Sequence, residues 1–296
     1  MSKQLDQLFP GTFFISTVLE ALDAKTRMSG EVLRKYLMRA SMAGILIGLL
    51  YATNYALVAA FDAIGFAGTT LAPLGKIAGA FSFGGALVFI YFTKSELLTS
   101  NMMIVSIGVY YRRIRPAQGG RLLFHCYLGN LIGGFAIAIP LCFSTVIDGA
   151  PLDQMLHAVD VKLAFLTSGP AGLADLFWRA VLCNFMINVA MLLVFNGFVK
   201  EDLTKSLAMI LAVFIFVFLG FEHSVANTIL FAIVGLKEGI DLGLAVGNVA
   251  IALVGNFVGG GILIGLYYAY VNDASGYLRK HPEAADDEAP ATHSSR

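Results

Sequence analysis

Phe221-Glu222-His223-Ser224-Val225-Ala226-Asn227 interrupts a run that is otherwise almost purely apolar, from Leu207 to Leu236. Leu211-Ala212-Val213-Phe214-Ile215-Phe216-Val217-Phe218-Leu219 precedes it, and Thr228-Ile229-Leu230-Phe231-Ala232-Ile233-Val234 follows. A Glu and a His side by side in such a run are costly to bury. An ionisable residue inside a membrane span is a functional hypothesis by default. Glu96-Leu97-Leu98-Thr99-Ser100-Asn101 interrupts a second apolar run in the same manner.

The totals agree with a chain that lives in lipid. Of 296 residues, 57% are hydrophobic and only 14% charged, against about 25% charged in a soluble domain. Mean hydropathy is +0.76. Such a chain could not cover its apolar surface in water, so the expected class is an all-α, polytopic membrane protein. The formal net charge of zero removes the electrostatic case for nucleic acid. Cys126, Cys142 and Cys183 all sit in apolar runs and read as small buried hydrophobes. No metal or cofactor motif is visible, and His125 beside Cys126 lacks further ligands. Residues 1–30 lack the apolar core of a cleavable signal.

Six spans are expected. The first runs from about Ala40 to Phe61, long enough to cross roughly 30 Å of hydrocarbon. The second runs from Lys76 to Phe92, breaks at Thr93–Ser100 and resumes from Asn101 to Tyr111, each half being too short to span alone. The third runs from Leu122 to Val146 and the fourth from Leu176 to Val199, with Asp148, Asp153, Asp160 and Lys162 in the loop between them. The fifth is broken at Glu222-His223, and the sixth runs from Leu242 to Val271. Residues 1–39, with Phe9, Phe13, Phe14, Val18 and Leu22 at helical spacing, form an amphipathic cytoplasmic segment. Residues 40–271 form the transmembrane channel domain, and 272–296 a polar, disordered cytoplasmic tail. Basic residues at the N-terminal segment, at Arg112–Arg121 and at Arg279-Lys280 fall on one side of this topology. By the positive-inside rule both termini are cytoplasmic, in the cell's inner (plasma) membrane.

An internal repeat underlies the plan. Glu96 leads to Asn101 and Glu222 to Asn227, each five residues on. Gly129-Asn130-Leu131-Ile132-Gly133-Gly134 matches Gly255-Asn256-Phe257-Val258-Gly259-Gly260, and the offset is 126 residues throughout. The repeats cover about 40–146 and 172–271. Three spans per half is an odd number, so the halves are inverted. Inverted repeats with broken helices at matching positions mark a transport fold, because irregular backbone at membrane depth survives only in protein or beside a cavity.

These residues carry a resemblance. Phe221 to Asn227 resembles the signature of the formate/nitrite transporter family, and Glu96 to Asn101 is similar to the acidic-Leu-x-Thr-Ser pattern of that family's first broken helix. Gly255 to Gly261 is similar to its sixth-helix motif. The resemblance covers roughly residues 5–271 and implies an aquaporin-like protomer within a homopentamer, each protomer with its own pore in the lipid bilayer. It implies small monovalent anions or their acids as partners: formate, nitrite, hydrosulfide, acetate or lactate. Carried onto this sequence, His223 is the central pore histidine, hydrogen-bonded by Asn184 and faced by Thr99. Phe83 and Phe216 form the periplasmic constriction with Leu87 nearby, and Leu97 and Leu98 narrow the cytoplasmic side. Lys162 draws anions to the outer vestibule. Glu96, Glu222, Ser100, Asn101 and Asn227 shape the helix breaks. Lys94 departs from the pattern, which has a small residue there, and it either pairs with Glu96 or alters the cytoplasmic mouth.

The chemistry has a cost to meet. Taking a bare carboxylate into low dielectric costs from several up to ~20 kcal/mol, whereas protonating an acid of pKa about 3.5 at pH 7 costs about 5 kcal/mol. A proton is therefore expected to travel with the anion, supplied either by His223 or by water in the vestibule. An intramembrane enzyme using Glu222 and His223 as acid and base is the rival reading. It lacks a nucleophile or metal motif and leaves the repeat unexplained.

Overall fold

The computed structural model describes residues 7–66 and 68–282 and is almost entirely helical. In chain order the helices are α1 Thr12–Glu31, α2 Leu33–Asp62, α3 Ala72–Phe92, α4 Leu98–Tyr110, α5 Pro116–Cys142, α6 Ala150–Thr167 and α7 Gly169–Phe195. They continue with α8 Asp202–Phe218, α9 Ser224–Lys237, α10 Leu242–Asn256, a wider π-helical turn at Phe257–Leu266, α11 Tyr267–Val271 and α12 Ser275–Lys280. A two-stranded hairpin, β1 Gly65–Phe66 and β2 Thr69–Thr70, joins α2 to α3. Pro73, Pro116, Pro151 and Pro170 stand in the first turns of α3, α5, α6 and α7, where the missing N–H costs nothing.

Five stretches among the described residues are long and apolar enough to cross a membrane: α2, α3, α5, α7 and the one opening at Leu242. This differs from the six-span expectation in one instructive way. Helix α3 has 21 residues and is long enough by itself, so the first break does not leave two short halves. Helix α8, with 17 residues, falls just below, and α4 and α9 are shorter still. The polar stretch with Asp153, Asp160 and Lys162 is not a loop but helix α6, with Leu152, Met155, Val159 and Leu163 on its buried face. The first long helix starts at Leu33, earlier than the expected Ala40. The start of the polar tail is also structured. Ser275–Lys280 is helical, and Asn272 accepts a hydrogen bond from the Gly11 N–H at 2.7 Å. Residues 283–296 of the expected disordered tail lie outside the described residues.

Both helix breaks have the same construction. Helix α3 ends with Lys94 in the left-handed region (φ 56°) and Ser95 N–H reaching back to Ile90 O at 3.0 Å. Helix α8 ends with Gly220 at φ 68° and Phe221 N–H on Phe216 O at 2.8 Å. These are Schellman closures. A left-handed conformation is free for Gly but costs a lysine about 1–2 kcal/mol; Arg112 is the other non-glycine residue with positive φ among the described residues. Extended residues follow, Leu97 in one break and His223 in the other.

Extended backbone cannot satisfy itself, and a buried unpaired amide is costly. The two repeat asparagines resolve this. Asn130 Oδ1 accepts from Leu98 N–H (3.1 Å), while its Nδ2 donates to Glu96 O (2.8 Å) and Ala40 O (2.9 Å). Asn256 does the same 126 residues later, with Ser224 N–H (2.9 Å), Glu222 O (3.0 Å) and Ala180 O (2.7 Å). The glycines beside them let the backbones meet: a Cβ on Gly133 would strike Ser41 O, and one on Gly259 would strike Val181 O.

Helix α1 packs its Phe14, Val18 and Leu22 face inward, while Phe13 is exposed, and Leu22 rests against Gly108 of α4. Arg113 clamps it from the α4–α5 turn through Asp23, with Nε–Oδ1 at 3.0 Å and Nη2–Oδ2 at 2.5 Å. The hydrogen bonds from Arg113 hold the Asp23 carboxyl below its ordinary value. A depressed carboxylate stabilises the fold above its unfolded pKa of about 3.9, and that contribution is lost as pH falls through the lower, folded value. Amide exchange in α1, corrected for intrinsic exchange, is therefore expected to quicken in wild type as pH falls below about 4. In Arg113→Gln it should already be fast at pH 5, and a wild-type rate flat in pH after correction for intrinsic exchange would refute the clamp.

Candidate functional site

His223 stands at the N-cap of α9, where its extended backbone turns the ring inward. Its Nδ1 accepts the Ala226 N–H at 3.1 Å, satisfying a donor that the helix start leaves open. An acceptor Nδ1 leaves Nε2 to carry the proton of the neutral ring, and Nε2 lies 3.1 Å from Thr99 Oγ1. The cap thus fixes the tautomer. Thr99 belongs to the first turn of α4, so the two breaks meet at this hydrogen bond.

Around it the surface is apolar. Phe216 lies with its ring centroid 6.0 Å from the imidazole, and Phe83 meets Phe216 edge-on at 6.4 Å. With Leu87 and Leu97 they enclose a cavity of about 20 Å³, room for about one water molecule. Ile47, Ala86, Ile90, Ile187, Val213 and Ala226, which sequence reasoning missed, complete its wall. The wall is hydrocarbon apart from the His223 imidazole; Thr99, the ring's partner, is fully buried and does not line it.

The structure relocates several expected residues. Asn184 does not bond His223. Its Nδ2 donates to Thr99 O at 3.1 Å and Asn256 O at 2.7 Å, fixing the backbone behind the imidazole's partner. Asn188, one turn on, joins it by donating to Asn184 Oδ1 at 2.8 Å, and no sequence argument had singled it out. Leu98 is buried but lies outside the cavity wall; its role is the N–H that Asn130 accepts. Thr99, Ser100 and Asn101 are helical rather than part of the break. Ser100 borders a larger cavity on the α1 side, of about 240 Å³.

Lys162 is not a free vestibule cation. Its Nζ reaches both Glu222 oxygens, at 2.8 and 2.9 Å, and Asn227 donates to the same carboxylate at 2.5 Å. The first half has a matching cluster. Lys25 of α1 pairs with Glu96, and Asn101 donates to Glu96 at 3.1 Å. Each break therefore carries a buried carboxylate neutralised by a lysine from an amphipathic helix, α1 or α6. One polar helix with an inward lysine ahead of each repeat is the signal that could have found Lys25. Lys94 does not pair with Glu96; its Nζ lies 4.9 Å from the Tyr91 ring centre.

A model of the family described as formate/nitrite transporter matches residues 13–270. The chain belongs to the formate/nitrite transporter family. Its relatives include a nitrite transporter, NirC, of Salmonella typhimurium, 29% identical over 84% of this chain and 87% of the relative. A formate channel, FocA, of Haemophilus influenzae is 29% identical over 68% of this chain and 76% of the relative. Among solved structures, one described as an FNT family ion channel superposes with TM-score 0.72 at 26% identity, covering 88% of this chain and 98% of that one. A pentameric formate channel with formate bound superposes at TM-score 0.63 and 21% identity, over 81% and 98%, and shares the fold. This family member is thus a multi-pass membrane protein of a transporter family, and its relatives include proteins named for nitrite, for formate and for neither.

Proposed function

We propose that the chain conducts a small monovalent weak-acid anion, formate or nitrite first, through a pore of its own in each protomer, with a proton. The observation that carries this reading is the narrowing itself. Phe83, Leu87, Leu97 and Phe216 close on a single polar side chain, His223, whose Nε2 is held by Thr99. A bare anion would lose its hydration there for one or two hydrogen bonds. A neutral acid, reached for about 5 kcal/mol at pH 7, passes hydrocarbon with little further loss. Hydrosulfide and lactate are the next candidates, and acetate differs from formate by one methyl group, which a hydrophobic pocket separates by only about 10–200-fold.

The topology that goes with this reading has six crossings, α3–α4 and α8–α9 forming the second and fifth as broken pairs. The two halves are inverted, with both termini and α1 on the cytoplasmic side. A homopentamer is supported by the solved pentameric relative and by an apolar groove of about 670 Å³ between α5, α9 and α10, lined by Tyr127, Phe135, Phe231 and Leu236.

Uptake of labelled formate, nitrite, hydrosulfide and lactate into proteoliposomes under an imposed pH gradient tests the proposal. Flux of formate or nitrite is expected to rise when the outside is acid, at least severalfold per pH unit near neutrality. Electrogenic flux indifferent to the gradient would mean that the bare anion crosses, and the proton would have to be dropped.

A further inference from the structure

The two halves of the chain differ at one place where the fold asks them to agree. Lys94 and Gly220 are 126 residues apart, both are left-handed, and both sit at the closing turn of a helix that leads into a break. In the second half the residue is glycine, as the conformation favours. In the first half it is lysine, which holds the same φ against its Cβ. A strained position kept by a large side chain points from the outlier toward a role.

A second departure lies beside it. Arg39 and Arg179 are the residues whose carbonyls accept the N–H of Glu96 and Glu222 at 3.3 Å, so they too correspond. Arg179 is committed: its guanidinium donates to Gly220 O at 2.9 Å and to Asp175 at 2.8 Å. Arg39 closes no helix end. Its Nη1 faces Met28 Sδ at 3.1 Å, a weak acceptor. Among the described residues neither Arg39 nor Lys94 forms an ion pair.

Both border the 240 Å³ cavity on the α1 side. The only carboxylate on its wall, Glu96, is neutralised by Lys25. The cavity therefore carries two unbalanced positive charges, and it shares Leu87, Ile90 and Leu97 with the narrow cavity at His223. Whatever is held here stands next to the constriction.

We infer that Arg39 and Lys94 form a docking site for a small planar oxyanion, carboxylate or nitrite, at the α1-side mouth of the pore. The guanidinium fork matches two oxygens of such an anion, and the lysine ammonium adds a mobile charge at the rim. A cleft lined by one sign of charge concentrates its counter-ion by about tenfold or more. The site rests on the proposed transport reading for its cargo, but it makes a binding claim of its own.

The test uses Lys94→Gly, which relieves the backbone and so is expected to fold, beside Lys94→Arg and Arg39→Gln. Concentration dependence of labelled formate and nitrite flux is measured in proteoliposomes. Thermal melting of the purified protein is measured with rising sodium formate or sodium nitrite at constant ionic strength. Lys94→Gly is expected to raise the half-saturating concentration about three- to tenfold and to shrink the anion-induced rise in melting temperature. Its melting temperature without anion should be at or above wild type, Lys94→Arg should restore saturation, and Arg39→Gln should act in the same direction as Lys94→Gly. Unchanged half-saturation and an unchanged anion-induced shift in Lys94→Gly would overturn the site. If wild type carries neither anion yet shows a melting shift that Lys94→Gly loses, the docking site stands and the transport reading fails. If wild type shows neither flux nor shift, both fall.

Discussion

Lys162→Ala is expected to destabilise the folded protein by about 3–5 kcal/mol, the cost of leaving one partner of a buried ion pair uncompensated. Glu222 is 3% exposed. Its carboxylate takes two bonds from Lys162 and one from Asn227, and one hydrogen bond from an amide cannot replace an ammonium. The loss should appear as a fall in melting temperature of the order of 10 °C in detergent. The double replacement Lys162→Met with Glu222→Gln removes both charges and keeps an acceptor for the Asn227 amide. It is expected to recover most of the loss, since exchanging a buried pair for neutral groups of like volume is near neutral. A single replacement that costs less than about 1 kcal/mol would show that Glu222 is hydrated, and the buried-pair account would fail. Lys25→Ala should follow the same pattern at Glu96, whose side chain is 6% exposed against 4% for Glu222.

His223→Phe is expected to cut flux of the cargo acid about 2- to 10-fold. That follows from the ~0.5–1.5 kcal/mol of a neutral hydrogen bond, because the imidazole is the one polar side chain on the wall of the narrowing. The replacement also removes the acceptor for Ala226 N–H, so about 1 kcal/mol of stability should go with it. His223→Asn separates the two effects. Its Oδ1 can cap α9 in place of Nδ1, so stability should survive, and the shorter side chain, though it falls short of Thr99, leaves a polar group on the path and a measurable flux. Asparagine cannot take up a proton. If flux in His223→Asn still follows the pH gradient as in wild type, water in the vestibule supplies the proton; if the dependence disappears, the imidazole does. Flux of His223→Phe equal to wild type would place the conduction path elsewhere.

The repeat was legible because its pieces are chemically expensive. A Glu inside an apolar run, an Asn five residues on and a Gly-Asn-x-x-Gly-Gly after 34 residues are not drawn by hydrophobic composition, so their recurrence at offset 126 signals shared architecture. The hydrogen bonds give the reason. Asn130 and Asn256 each satisfy two backbone groups at a break and tie them to a carbonyl of a neighbouring helix, and Gly133 and Gly259 bring the helices close enough for that.

Helix α6 was not legible, because Asp153, Asp160 and Lys162 read as a solvated loop unless one knows that Val159 and Leu163 face inward. The vestibule role of Lys162 came from the family resemblance, and neither resemblance nor charge says which partner a lysine meets. Asn184 was placed near His223, but the direction of its amide depends on carbonyls from α4 and α10 that no local pattern fixes. Local sequence determined this protein's solvent, its breaks and its two-fold repetition, because those follow from transfer energies and backbone hydrogen-bonding needs that act residue by residue. Only the tertiary structure decided which lysine neutralises which carboxylate, which nitrogen of His223 carries its proton and where Lys94 and Arg39 stand together, because those depend on distances between segments far apart in the chain.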